Sequence, residues 1–264
     1  MKLNLYQIDA FADKVFNGNP AAVCLLEEWL PEATMQNIAL ENNLSETSFL
    51  VPKDDGYEIR WFTPKAEVDL CGHATLASAA LILKELKLKD DLVNFYSPHS
   101  GLLSVSKDDD WLVMDFPARM PETTKIPPNL ERVLGCQFIE VLESRDLFVV
   151  LENEKTVKNL KPDIESIKRL DCFSIIVTAK ADQSEENIDF VSRFFIPKLD
   201  IAEDPVTGSA HSSLIPYLAE KLGKKKMLAK QLSSRGGLLK CEYNGDRVKI
   251  AGKAICYLRG KINF

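Results

Sequence analysis

Apolar and polar residues alternate from Leu3 to Phe11, which predicts a β-strand at the start of the chain. Ala21 to Leu26 is a compact apolar run of strand length. It follows a predicted turn at Asn17-Gly18-Asn19-Pro20. From Pro31 to Asn43 the period changes: Met35, Ile38, Ala39 and then Leu44 are spaced to one face of a helix. Thr47 to Pro52 and Tyr57 to Thr63 predict two strands around a turn at Asp54-Asp55-Gly56. A helix is expected from His73 to about Leu86, and its apolar run from Ala74 to Leu83 reads as buried. Strands over 93–97, 102–106 and 111–116 follow, the last two joined by a charged turn.

The second half repeats the theme. Strands are expected over 138–143 and 147–151, a helix over 157–170, and strands over 173–178 and 189–196. A helix from Ser209 to Leu222 comes next, then a β-meander from Leu238 to Phe264 whose Asn244-Gly245 pair is a strong hairpin signal. Helices fall between strand pairs rather than strictly alternating with strands, so the expected class is α+β. The proline cluster Pro117, Pro121, Pro127 and Pro128 suggests two domains, 1–118 and 119–264, with the last strand able to cross back to the first.

Two segments look like copies. Phe62-Thr63-Pro64-Lys65 precedes Cys71-Gly72-His73-Ala74, and Phe195-Ile196-Pro197-Lys198 precedes Thr207-Gly208-Ser209-Ala210. Each leads into a predicted helix start, where free N–H groups and the positive dipole end favour an anion. A duplicated fold would thus supply two facing anion sites.

Composition narrows the classes. The chain has 264 residues, 45% hydrophobic and 27% charged, as in a globular protein. Its net charge of −6 argues against nucleic acid or an anionic membrane as main partner. Lys224-Lys225-Lys226 reads as a solvated helix end. The opening Met1-Lys2-Leu3-Asn4-Leu5-Tyr6 reads as a strand rather than a signal peptide, and no apolar run is long enough to span a bilayer. The six cysteines include no C-x-x-C pair, so reduced thiols and a cytoplasmic location are expected. None of the three histidines shows metal-ligand spacing, and no metal site is expected.

Residues in four stretches of the chain could carry chemistry. Glu46 lies at a helix-to-strand transition beside Leu44 and Phe49. Apolar neighbours could raise a carboxyl toward neutrality for acid/base work, though spacing alone favours an ordinary surface glutamate. His73, at a helix start, could touch an anionic ligand or simply be a polar helix-start residue. The dipole there favours its neutral form. Thr207, Gly208 and Ser209 suit N-capping, which suffices to explain them. They could also offer N–H and hydroxyl groups to a carboxylate, with Asp204 orienting a proton donor. His211 reads as packing on the helix. Cys71 could be a thiol acidified by the dipole, but a small buried residue is the better reading. The matching segment Asp204-Pro205-Val206-Thr207 has no cysteine, so these loops cannot build a two-thiol racemase.

These residues resemble the PhzF family of phenazine-biosynthesis-type isomerases. The likeness rests on Asn17-Gly18-Asn19-Pro20-Ala21-Ala22-Val23, Leu44-Ser45-Glu46-Thr47-Ser48-Phe49, Phe62-Thr63-Pro64, the 67–75 segment around Cys71-Gly72-His73, and the 203–211 segment. Gln231 with Arg235-Gly236-Gly237 and the closing meander extend it over essentially the whole chain. The resemblance implies a diaminopimelate-epimerase-like fold: two pseudo-symmetric domains, each a sheet wrapped around a long central helix, with the site in the cleft. It implies a homodimer without cofactor that moves a proton on a small anionic metabolite. By the same likeness Glu46, His73, Asp204 and Ser209 are the catalytic candidates, and Gly72, Gly208 and Asn19 the substrate-binding ones. In the epimerase a second cysteine stands where this chain has Pro205, so isomerisation by a single acid/base is expected. Racemase or epimerase chemistry, or a non-catalytic binding or interaction module, are the alternatives.

Overall fold

A computed structural model describes residues 1–182 and 187–264 of the chain. The chain forms two compact units, one of Met1–Asp115 with Ala251–Phe264, the other of Phe116–Ile250. In chain order the elements are β1 (Lys2–Ala10), β2 (Asn19–Leu25), α1 (Glu32–Asn42), β3 (Glu46–Lys53), β4 (Gly56–Phe62), β5 (Glu67–Val68), α2 (Gly72–Ala80), β6 (Leu92–Ser97), β7 (Gly101–Asp108) and β8 (Trp111–Pro117). Then come β9 (Glu122–Thr123), α3 (Leu130–Leu134), β10 (Glu140–Glu143), β11 (Leu147–Val150), α4 (Glu154–Asn159), α5 (Ile164–Lys168), β12 (Ile175–Lys180) and β13 (Phe190–Phe195). Last are α6 (Gly208–Leu222), β14 (Lys226–Gln231), β15 (Gly237–Asn244), β16 (Arg247–Gly252) and β17 (Ala254–Asn263). The mixture of sheet and helix is α+β, as the pattern predicts.

In the first unit β1 pairs antiparallel with β2, β2 parallel with β3, β3 antiparallel with β4, β4 parallel with β6, and β6 antiparallel with β7. In the second unit the series β10, β11, β12, β13, β14, β15 runs antiparallel, parallel, antiparallel, parallel, antiparallel. Parallel neighbours need a crossover, and helices supply it. The second crossover of each series carries the long helix: α2 between β4 and β6, α6 between β13 and β14. Each Phe-x-Pro-Lys segment begins on the last residue of the strand before that crossover, Phe62 of β4 and Phe195 of β13.

Every residue of α2 is buried, from Gly72 to Ala80. Its small side chains let β1, β2, β3 and β17 pack close around it. Beyond Ala80 the helix widens into a π turn over Leu81–Glu85, where the Leu86 N–H donates to Leu81 O at 2.9 Å. In α6 the buried face includes Ala210, Leu214, Ile215 and Leu218. Pro216 lies inside that helix and cannot donate to the Ser212 carbonyl. The Arg119 N–H takes the freed carbonyl at 2.8 Å, so the helix continues without an orphaned acceptor.

Three expectations are corrected. The helix over 157–170 is two short ones, α4 and α5, because Pro162 between them lacks an N–H and disfavours helix at Lys161. Each has its own cap: Asn153 accepts from the Thr156 N–H at 2.9 Å and Asp163 from the Ser166 N–H at 3.1 Å. The turn expected at 17–20 closes earlier, since Asn19 and Pro20 already pair with Ala10 and Asp9 in the β1–β2 ladder. Gly18 makes this tight turn at φ +67°, and a Cβ there would lie 2.1 Å from Ala10 O. Strand β14, at the end of the lysine run, was not anticipated. Lys224 is not merely solvated, because its Nζ donates to Asp189 Oδ1 at 2.6 Å. Among the described residues, no helix is long and apolar enough to cross a membrane.

Candidate functional site

At the start of α2, three elements deliver polar side chains to one buried spot. Asn19 is the first residue of β2, Glu46 the first of β3, and His73 the second of α2. The parallel β2–β3 register sets Glu46 beside Ala21, two residues past Asn19. His73 Nε2 lies 3.1 Å from Glu46 Oε2, with the side chains only 6% and 14% exposed. Neither of those two atoms has another hydrogen-bond partner among the described residues. On the ring's other side, Asn19 Nδ2 is 3.2 Å from Nδ1 and Cys71 Sγ 3.5 Å. A neutral ring would accept at Nδ1 and carry its proton on Nε2, whereas a protonated ring donates from both nitrogens.

His73 therefore departs from the neutral form expected of a helix start. Burial pulls its pKa down, but the facing charges of Cys71 and Glu46 more than offset this and hold it well above 6.5. The Cys71 thiol is itself pushed up to about 11, by burial and then by the Glu46 charge, so it is neutral near pH 7. The two facing groups, Cys71 first and Glu46 second, are what raise the imidazole pKa against burial. The same facts remove the acidified-thiol reading of Cys71, because burial outweighs the helix dipole. Cys71 sits at the N-cap position without a side-chain capping bond.

The absence of metal-ligand spacing in the sequence concealed a cluster. Folding brings one donor atom each of Glu46, Cys71 and His73 within 4.8 Å of one another. The three come from a strand end and a helix start, a combination that linear spacing does not reveal.

The start of α6 is built differently. Thr207 holds the N-cap position, but its side chain does not cap the helix. Its hydroxyl donates to Asp204 Oδ2 instead, and its N–H donates to Gln231 Oε1 at 2.9 Å. Gln231 Nε2 donates to Asp204 O at 2.8 Å, so the end of β14 pins the 204–207 loop. Gly208 is the first residue of α6, and Ser209 the second. Ser209 Oγ accepts from Arg145 Nη2 at 3.2 Å. Arg145 in turn makes hydrogen bonds of 2.9–3.2 Å with Asp146, whose side chain is 2% exposed and also takes the Ser174 hydroxyl. His211 is fully buried, as the packing reading requires. Its Nδ1–H donates to Thr207 O at 2.9 Å, and burial lowers its pKa to about 4.

The predicted residues thus form two sets, one in each unit. Asn19, Glu46, Gly72 and His73 stand together with Cys71. Asp204, Gly208 and Ser209 stand with Thr207 and Gln231. Thr207, not Pro205, occupies the helix-start position that matches Cys71. Arg145 and Asp146 were missed. Their signal lay in the strand series, because they immediately precede β11, which holds the place in its series that β2, begun by Asn19, holds in the first.

Residues 8–260 match the profile of the family described as phenazine biosynthesis-like protein. An uncharacterized isomerase of Pseudomonas aeruginosa is 48% identical over 263 residues, covering all of both chains. A crystal structure of a PhzF-family phenazine biosynthesis protein from Enterococcus faecalis superposes with a TM-score of 0.96 at 48% identity, again over all of both chains. At 8% identity, a probable proline racemase of Agrobacterium radiobacter shares the fold, with a TM-score of 0.66 over 99% of this chain and 92% of its own.

Proposed function

The chain belongs to the phenazine biosynthesis-like family, and from that premise we propose that it isomerises a small carboxylate-bearing metabolite without a cofactor, using Glu46 as the acid/base. The observation that carries this reading is the buried Glu46–His73 pair, whose facing atoms have no other hydrogen-bond partner among the described residues. A carboxylate held off water beside an imidazolium is a base kept ready without solvent reorganisation.

In this reading Glu46 removes a proton from a carbon activated by a neighbouring unsaturated or carbonyl group and returns it elsewhere on the same skeleton. His73 faces the carboxylate before transfer and donates to it or to the substrate as the charge moves. Asn19 fixes the ring through Nδ1. Cys71 is no base, since a thiol with pKa about 11 gives almost no thiolate near pH 7. In the second unit, Gly208, Ser209 and Asp204 are proposed to bind and orient the anionic part of the substrate. We read the two units as pseudo-symmetric copies, a reading supported by their matching pairing series. Thr207 in place of a second cysteine favours single-base isomerisation over two-thiol epimerisation.

The test is deuterium uptake from solvent into candidate unsaturated carboxylates, beginning with trans-2,3-dihydro-3-hydroxyanthranilate. Glu46→Gln keeps the shape and removes the base, and exchange should fall by roughly 10²–10⁴-fold. Unchanged exchange in that variant would falsify the assignment.

A further inference from the structure

A guanidinium carries five N–H donors in one rigid plane. Arg145 commits its Nε side to Asp146, with Nε 3.0 and 3.2 Å from the two carboxylate oxygens and Nη2 2.9 Å from Oδ2. The Asp146 side chain is 2% exposed and also accepts from the Ser174 hydroxyl, so this anchor is buried and fixed. Nη2 donates further to Ser209 Oγ at 3.2 Å. The Phe173 ring lies against the guanidinium, its centre 5.8 Å from Cζ. Nη1 meets no acceptor among the described residues. The Arg145 side chain is 39% exposed, so a small molecule can reach it. We infer that Arg145 is a specificity-determining residue that makes the start of α6 select a carboxylate, an inference that rests on the reading of that start as the place where the anionic part of the substrate is held.

The surrounding groups complete a set of donors. Ser209 Oγ accepts from Arg145, which leaves its own O–H to donate. The Thr207 side chain does not cap α6, so the N–H groups of Gly208 and Ser209 keep the orphan state of a helix start. Two acids are close by. Asp146 is taken up by Arg145 and Ser174, and Asp204 accepts the Thr207 hydroxyl. A carboxylate, with two acceptor oxygens and no proton, fits such donors. A carboxamide would set its own N–H against one of them. Because Asp146 balances the guanidinium's charge, selection comes from the placing of the donors more than from net attraction. The first unit uses the matching place in another way. Asn19 opens β2 and its amide reaches His73, the second residue of α2, whereas Arg145 stands two residues ahead of β11 and reaches Ser209, the second residue of α6.

The experiment titrates the full-length protein with benzoate and with benzamide, followed by ligand NMR. Benzoate has no proton that the proposed reaction would move, and benzamide is its uncharged match. Wild type should bind benzoate more tightly than benzamide, and equal affinity overturns the proposal. Arg145→Gln and Arg145→Lys should each weaken benzoate roughly 10–10²-fold and change benzamide by less than about twofold. Lysine keeps the charge beside Asp146 but not the fork, so benzoate binding at wild-type strength in Arg145→Lys also overturns it. A purely structural role, the neutralising of Asp146, is tested by combining Arg145→Gln with Asp146→Asn, which strands no buried charge. This pair should regain the Tm lost by Arg145→Gln without regaining benzoate affinity. Recovery of the affinity would sink the proposal. One reading needs no variant: in wild type, benzoate should slow phenylglyoxal labelling of Arg145, read by mass spectrometry, and benzamide should not. Equal labelling rates count against it in the same way. None of these measurements involves turnover. Unchanged deuterium exchange in Glu46→Gln would remove the isomerase reading and leave the Arg145 effect standing, while loss of the Arg145 effect would leave the exchange result untouched.

Discussion

The start of α2 sets an imidazole against a carboxylate in a nearly dry pocket. The start of α6 sets a guanidinium, a hydroxyl and a threonine–aspartate contact in a half-exposed one. Both helices follow the same strand series and the same Phe-x-Pro-Lys segment. In both, the N-cap side chain declines to cap the helix. The backbone plan is therefore shared and the chemistry is not. Two histidines make the contrast sharp. His73 is buried beside an anion and is held protonated, while His211 is buried beside a carbonyl and a phenylalanine ring and is held neutral. Burial alone drives both downward. The presence or absence of facing acidic groups, Cys71 and Glu46 beside His73 and none beside His211, decides the sign.

The largest expected effect separates the two starts kinetically. If proton transfer belongs to the first unit, His73→Gln should lower solvent-deuterium exchange by about 10²-fold, because it removes a charged partner of the base. Ser209→Ala should cost about tenfold or less and act mainly on KM, as the loss of one hydrogen bond to bound substrate would. Equal falls in kcat for both variants would break the comparison.

A smaller effect separates the histidines by pH. His211 has a folded pKa of about 4 against 6.5, so its stabilising contribution is present above 6.5 and lost as pH falls toward 4. Between pH 7 and 4.5 it should cost the fold roughly 2–3 kcal/mol. His73 runs the other way. Its raised pKa gives stability that is complete below 6.5 and disappears as pH rises through the folded value. Urea unfolding at several pH values checks both signs. His211→Gln should flatten the acid limb and leave the alkaline one, and His73→Gln should do the reverse. An unchanged acid limb in His211→Gln would show that the acid sensitivity lies elsewhere.

What the sequence revealed follows from what is local. Periodicity located the two long helices and most strands, because these depend on neighbours a few residues away, and comparing the two halves of the chain exposed the Phe-x-Pro-Lys repeat. Periodicity overran Pro162, where a single missing N–H splits a helix. It also could not see that Glu46, Cys71 and His73 converge, because that meeting depends on the β2–β3 register and the crossover through α2. Resemblance to a family, rather than spacing, singled out Glu46. Arg145 and Asp146 lay outside both signals, since no periodicity or motif marks a turn ahead of a buried strand.

The smallest effect tests what pins the second start in place. Gln231 is completely buried, accepts from the Thr207 N–H, and donates to Asp204 O and to Thr207 Oγ1 at 3.3 Å. At the first start the Cys71 carbonyl accepts from Thr75 Oγ1, one turn along its own helix, at 2.6 Å. Gln231→Ala leaves a buried N–H and carbonyl without their partner, a loss of about 1–3 kcal/mol. Gln231→Glu keeps the acceptor for Thr207 but loses the donor to Asp204 O, and should fall between alanine and wild type. Hydrogen exchange gives the decisive reading. In Gln231→Ala, amides of the 204–209 segment should lose protection while those of 71–75 keep theirs, because the second start depends on this side chain and the first does not. Equal loss at both would mean that the two starts are one cooperative structure, and the contrast between them would hold for their chemistry alone.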